Sequence, residues 1–417
     1  MSGSGCRRRG SDFLAVFWVV VCGASLLSSV FEDNPSLCGF AAPQFMPVAE
    51  TFVRNFREHG EVGACVSVVY RGQTVVDLWM GHQNPAKTLA WQADTLLPVF
   101  SNTKVATAMC LHKLVDEGKV ELDAPVATYW PEFAANGKGD IRVASLLNHS
   151  AGLPAVRRRV RNAGFRDWDF MTKALAAETP FWEPGSTNGY HMISFGWLVG
   201  EVVRRVSGMS LGAYFDQHFR QPTAAEFYIG LPRSAYPLFA PVSLATPNLA
   251  TMLSRAFLRK IMFDKTSMQF LSLVNSGRFT PNKPIYWPAH IGGAGGIGNA
   301  RGLAALLRPL AENDGSLLSP AAVERLRRPS METKRDLNLL IPTRFSLGAM
   351  LRMDNGRNAR GGRSLLIPEG AFGHTGIGGS VSFADPDQRI AFGYAMTRLG
   401  NGFFVNERGQ GLIERGG

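Results

Sequence analysis

The sequence predicts an α+β fold: an antiparallel sheet built from both ends of the chain, flanked by helices, with a mainly helical lobe inserted between them. Three observations predict it. Residues Ala64–Tyr70 and Thr74–Met80 are β-rich runs joined by Arg71-Gly72-Gln73, a hairpin signal. The C-terminal part returns to strand-like runs over Arg344–Met353, Gly373–Ala384 and Arg389–Arg398. The stretch between them carries helical patterns and loops instead.

In chain order, Arg7-Arg8-Arg9 leads into the uncharged apolar segment Phe13–Phe31. Its length is about the ~20 residues a bilayer needs. A basic flank before such a run describes a signal-anchor or a signal peptide, and the lack of an immediate small-x-small site favours the anchor. The positive-inside tendency then leaves the folded body outside the cytoplasm, or secreted if the segment is cleaved. Residues 1–33 are this segment, 34–47 a linker and 48–417 one folded domain. Within that domain, 48–100 and 299–417 form the α/β lobe and 101–298 the helical lobe. Val48–His59 reads as an amphipathic helix, with Val48, Phe52, Val53 and Phe56 at helical spacing. Val105–Glu117 is a helical run that stops at Gly118, Phe195–Val206 is another, and Arg301–Glu312 a third.

The 417 residues carry a net charge of +11 and are 45% hydrophobic. A basic chain can bind nucleic acid. Here the arginines are scattered and no recognition helix, zinc pattern or RNA-binding motif accompanies them. Cys6, Cys22, Cys38, Cys65 and Cys110 show no metal-ligand spacing. Cys65 and Cys110 read as small core residues, and a Cys38–Cys65 disulfide is left open. No cofactor pattern is present. Gly293-Ala294-Gly295-Gly296-Ile297-Gly298 matches G-x-G-x-x-G, but no βαβ unit surrounds it, so a dinucleotide site is rejected. Lys265-Thr266-Ser267 resembles K-T-G but lies in a helical stretch. Arg157–Arg161 reads as a solvated loop. No G-x-S-x-G occurs.

Chemistry concentrates at Ser101-Asn102-Thr103-Lys104, the only S-x-x-K in the chain. It stands where the apolar run Leu96–Phe100 enters a helix. A serine and lysine three apart share one helix face. At the first turn the serine also meets unpaired N–H groups and the positive end of the helix dipole, which suits a nucleophile. Tyr190 follows the Pro184-Gly185 turn, where its oxygen can approach a serine. Its ordinary pKa of ~10 is too high for a base at neutral pH. A lysine ammonium would lower it, and Lys104 either does that or is itself the base if desolvated. His374-Thr375-Gly376 is read on a strand whose glycines permit close approach to a ligand. A strand N–H there, beside that of Ser101, would form an oxyanion hole.

With these three motifs in this order, the chain resembles the serine β-lactamase and penicillin-binding-protein superfamily. More narrowly it is similar to the class C branch and its family VIII carboxylesterases. The residues that carry the resemblance are Ser101–Lys104, Gly118–Pro125, Leu146–Leu153, Pro184-Gly185 with Tyr190, Gly196–Gly208 and Gly373–Pro386. The resemblance implies a β-lactamase/transpeptidase-like fold and a Ser101 acyl-enzyme. It implies that Lys104 and Tyr190 share the proton transfer, and that the N–H groups of Ser101 and Ile377 hold the oxyanion. His374, Thr375 and Gly376 are expected at the substrate. Met192 stands where such β-lactamases carry asparagine, and His374 where they carry lysine. A β-lactam presents a carboxylate that lysine pairs with. The expected substrate is therefore a small neutral ester, with β-lactam or D-alanyl peptide hydrolysis as the alternative. Acyl transfer to a small alcohol uses the same machinery, and a silent membrane-tethered binding protein is the non-enzymatic alternative. The family generally ends in a long helix, whereas Val405–Gly417 is short and carries four glycines.

Overall fold

A computed structural model describes residues 30–244, 256–356 and 364–416. Its centre is a nine-stranded antiparallel sheet in the order β1-β3-β2-β13-β12-β11-β10-β9-β8. The first three strands are β1 (Cys38–Ala41), β2 (Gly63–Tyr70) and β3 (Gln73–Gly81). Outside this sheet come β4 (Leu97–Phe100), β5 (Phe227–Tyr228), β6 (Ser243–Leu244) and β7 (Gly296–Gly298). The C-terminal part supplies β8 (Met331–Thr333), β9 (Thr343–Phe345), β10 (Met350–Leu351), β11 (Phe372–Thr375), β12 (Val381–Asp385) and β13 (Ile390–Met396). A short β14 (Arg398–Leu399) runs parallel to β6. The two ends of the chain meet where β13 pairs with β2, with Gly393 opposite Ser67.

Alternation along β13 explains how both faces are covered. Gly393 faces the Ala300–Glu312 helix, where a Cβ would stand 2.3 Å from the Ala300 carbonyl oxygen. Its neighbour Phe392 faces the other way. Phe392 and Val68 lie around Gly416 of the C-terminal helix Glu407–Gly416, which packs beside the Met46–Glu58 helix. Burying each such side chain contributes about 1.5–3 kcal/mol. The β2–β3 turn takes positive φ at Arg71 (48°) and Gly72 (76°), the conformation a two-residue hairpin requires.

Several expectations are corrected. The stretch 34–47 is not a simple linker: its β1 pairs with β3, with Cys38 opposite Trp79. Cys65 on β2 also faces Trp79, from the other side. Two strand spacings, ~10 Å, therefore separate Cys38 from Cys65, too far for a disulfide. Arg344–Met353 and Gly373–Ala384 are not continuous strands. A turn with Gly348 at φ 116° breaks the first, and Gly378 and Gly379 (φ 85° and 108°) fold the second into a β11–β12 hairpin. The glycine-rich end does form a helix. Arg408 there donates to buried Glu61 (2.6 Å) and to the Arg398 carbonyl (2.8 Å), while the Tyr394 hydroxyl donates to the same glutamate. The segment Phe13–Phe31 lies outside the described residues except for Val30 and Phe31, which pack against the core. Among the described residues no helix is long and apolar enough to cross a membrane. Cys6 and Cys22 also lie outside them.

Candidate active site

The local fold around Ser101 begins with β4, all four of whose residues are buried. It pairs with β7, and β7 with β5, in a small sheet at the lobe junction that short, glycine-containing strands gave no periodicity to foresee. Phe100 has φ 50°, unusual for a bulky side chain. This left-handed residue ends the strand, and the Thr103–Asp116 helix starts three residues later. Thr103 Oγ1 donates to the Phe100 carbonyl and accepts from Gly296 N (2.8 Å), which fastens the bend. Asn102 donates to Val99 O (2.8 Å) and accepts from Ser382 Oγ on β12 (2.8 Å). The turn carrying Ser101 is thereby tied to the main sheet.

Lys104 is fully buried, with Nζ 3.1 Å from Ser101 Oγ. It donates to the carbonyls of Met192 (2.6 Å) and Gly293 (2.6 Å). Among the described residues no carboxylate pairs with it, and burial holds its pKa well below the ordinary lysine value. The rejected glycine run thus has a structural task. Gly293 gives Lys104 a carbonyl, and a Cβ there would meet Ile193 O at 2.4 Å. Met192 contributes its backbone oxygen rather than a side-chain amide.

Tyr190 is 4% exposed, and Lys104 Nζ stands 4.7 Å from its ring centroid. Burial pushes the phenol's pKa above its ordinary value, against a hydrogen bond to Ser101 that lowers it. The expected depression by the lysine is therefore corrected, because desolvation dominates. The phenol oxygen lies 3.4 Å from His374 Nε2, and His374 Nδ1 is 2.8 Å from Thr375 O. Nδ1 meets only an acceptor, so it carries the proton and Nε2 is free to accept from Tyr190.

Ser101 and Tyr190 open onto a cavity of about 500 Å³. Phe100, Met192, Ile193, Leu273, Phe279 and Phe403 give it an apolar wall, and none of its described lining residues is charged. Ile377 lines it too. Neither its N–H nor that of Ser101 is used in another hydrogen bond among the described residues. His374, Thr375 and Gly376 do not line the cavity. His374 is 1% exposed behind Tyr190, Thr375 Oγ1 donates to Phe403 O (2.8 Å), and Gly376 N closes the hairpin onto Ser380 O (2.7 Å). Their expected contact with substrate is corrected to support of Tyr190 and of the Ile377 turn. Lys265-Thr266-Ser267 forms an interhelical turn with exposed Lys265 and Thr266, and Ser267 caps the Met268–Leu273 helix. Arg157 pairs with Glu178 and Arg161 with Asp167.

Comparison with known proteins gives the family and the fold. The family model for Beta-lactamase matches residues 49–414. The chain belongs to the Beta-lactamase family. A crystal structure of a family VIII carboxylesterase superposes with TM-score 0.80 at 35% identity, over 91% of this chain and 98% of that one. A penicillin-binding protein homolog from Caulobacter crescentus gives 0.78 at 32% identity, over 91% and 98%. The esterase/beta-lactamase LipL of Mycobacterium tuberculosis is 32% identical, over 87% of this chain and 83% of its own length. The Beta-lactamase-family chain is an enzyme with this serine-hydrolase fold.

Three residues of the site had no readable signal in the sequence. Asn102 is an interior letter of S-x-x-K. Asn406 donates to Gly378 O (2.8 Å) and so braces the Ile377 turn from the C-terminus. Asp336 lies 146 residues from the Tyr190 N–H it accepts.

Proposed function

We propose that this enzyme hydrolyses small neutral carboxylic esters through an acyl-enzyme on Ser101. The observation that carries the reading is Ser101 Oγ beside a buried Lys104 that no described carboxylate pairs with, at an apolar cavity whose described lining is uncharged. Neutral Lys104 has two N–H donors and one lone pair. The carbonyls of Met192 and Gly293 take the donors, which directs the lone pair at Ser101. Lys104 thus accepts the serine proton as the oxygen attacks the ester carbonyl. The N–H groups of Ser101 and Ile377 stabilise the resulting oxyanion. Tyr190, kept neutral by burial, passes its proton to the departing alcohol and takes one back from the Lys104 ammonium, which restores the neutral lysine. Water then releases the acid. Similarity to the esterase/beta-lactamase LipL and to a family VIII carboxylesterase supports an esterase.

The LipL name also carries β-lactamase activity. Among the described residues no cation lines the cavity to receive a β-lactam carboxylate, which favours esters. Short p-nitrophenyl acyl esters test the choice. They should turn over faster than nitrocefin, and Ser101→Ala should abolish both. Wild-type inactivity across acyl lengths would refute the esterase reading, and faster nitrocefin turnover would establish the lactamase instead. The lobes 48–100/299–417 and 101–298 are proposed with this function, with β1 (Cys38–Ala41) added to the first. So is a membrane tether at Phe13–Phe31 that leaves the catalytic body outside the cytoplasm. Release of the full chain from membranes by alkaline carbonate would contradict the tether.

A further inference from the structure

Asp336 is the buried carboxylate of the site that the proposed chemistry does not use. It is 0% exposed and, among the described residues, has no cationic partner. Hydrogen bonds surround it instead. Tyr190 N donates to both carboxylate oxygens (3.0 and 2.9 Å), and Asn188 Nδ2 donates to one (3.0 Å). The N–H groups of Asn338 (2.8 Å) and Leu339 (2.7 Å) complete one side, and Thr343 Oγ1 stands 3.4 Å away on the other. The same turn holds the opposite side of the tyrosine peptide, since Asn338 Nδ2 donates to Tyr190 O (2.7 Å). Both backbone polar groups of Tyr190 therefore end on residues 336–338.

The turn is anchored to the cavity wall as well. Gln269 Nε2 donates to Leu337 O (2.8 Å) and Asn338 O (3.1 Å), and Ser272 Oγ donates to Asn338 Oδ1 (3.1 Å). Gln269 and Ser272 belong to the Met268–Leu273 helix, whose last residue lines the cavity. Burying a carboxylate without a countercharge is costly unless its oxygens are satisfied. Here the donors that satisfy it come mainly from the Tyr190 segment and from the turn that clamps it.

From this geometry we infer that Asp336 is a positioning residue for Tyr190: it fixes the peptide that aims the phenol between Ser101 and His374. The inference rests on the proposed role of Tyr190 in proton transfer. Asp336 touches no substrate and acts through the tyrosine backbone alone. Replacing it with asparagine turns an amide N–H toward the Tyr190 N–H or its fellow donors, so the clamp loosens without a cavity being opened. A displacement of ~1 Å in a catalytic group costs on the order of 100-fold in rate.

A kinetic double-mutant cycle on the full chain tests this, with a p-nitrophenyl ester and with folding checked by circular dichroism. Asp336→Asn should lower kcat by on the order of 10–100-fold with KM little changed. In a Tyr190→Phe background the same substitution should cost less than about threefold, because the group it aims is already gone. Asn338→Ala, which removes the bonds to Tyr190 O and from Ser272 Oγ but leaves the Asp336 carboxylate in place, should show the same dependence in a milder form, and it serves if Asp336→Asn fails to fold. Equal losses in the wild-type and Tyr190→Phe backgrounds would overturn the inference and leave the esterase reading standing. Wild-type kcat in Tyr190→Phe itself would overturn both.

Discussion

Replacing Lys104 with methionine separates catalysis from folding at this site. Methionine keeps an unbranched apolar stem of similar length and removes only the amine. The lost general base should lower kcat by ~10²–10⁴-fold, which is about 3–5.5 kcal/mol of transition-state stabilisation. The stability cost is separate and partly compensated. The Met192 and Gly293 carbonyls each lose a donor now held at 2.6 Å, worth about 1–3 kcal/mol apiece. Removing a fully buried amine offsets part of that loss. The variant should therefore remain folded and bind ester with nearly unchanged KM while turning it over far more slowly. The assay is steady-state hydrolysis of a p-nitrophenyl ester beside a thermal melt by circular dichroism. The wild-type pH profile supplies a second check on the base. Burial holds the pKa of Lys104 well below the ordinary 10.5, so the base limb of log kcat/KM should level off well before pH 10. A folded Lys104→Met enzyme within tenfold of wild-type kcat, or a wild-type rate still climbing tenfold per pH unit to pH 10, would refute the lone-pair argument.

Other outcomes follow from the same structure. Burial holds His112 at about 4 and His191 at about 3, both below the ordinary 6.5. The folded state therefore binds fewer protons than the unfolded one, and the stability present above pH 6.5 is lost on acidification, by about 3 kcal/mol for His112 alone by pH 4. Asp336, raised by burial from 3.8 to about 6, has the opposite sign over pH 4–6, but it opposes two histidines. Urea midpoints should thus fall from pH 7 to pH 4.5, and a constant midpoint would contradict the buried-histidine reading. Glu61→Ala leaves Arg408 buried without its carboxylate and should destabilise the fold by ~3–5 kcal/mol, visible as a lower urea midpoint. Leu273→Trp narrows the cavity, so kcat/KM should peak at a shorter p-nitrophenyl acyl chain than in wild type. Gly293→Ala drives a Cβ toward Ile193 O and displaces a Lys104 acceptor, and it should lower kcat at least tenfold.

How much of this was legible in the sequence depended on the range of each contact. Ser101 and Lys104 are three apart, and helix geometry alone puts them on one face. The β2–β3 hairpin was legible for the same reason, since Arg71-Gly72 satisfies a local φ requirement. Tyr190 needed the family pattern, because a tyrosine after a turn has many fates. His374 was placed on its strand correctly, yet its direction was not readable. All four β11 residues are buried, so no polar alternation marks the face toward the cavity. The β4-β7-β5 sheet escaped notice because strands of two to four residues carry no period. Asn102, Asp336 and Asn406 act through side-chain bonds to partners distant in sequence or to backbone carbonyls, and local patterns do not encode these.

The central claim is that Ser101 carries the acyl group during ester turnover. Acid-quenching the full-length enzyme within its first turnovers of a p-nitrophenyl ester, followed by peptide mass spectrometry, reads this directly. The account predicts the acyl mass on the peptide containing Ser101 and none in Ser101→Ala. An acyl group on a different residue, or persistent acylation in Ser101→Ala, would contradict it.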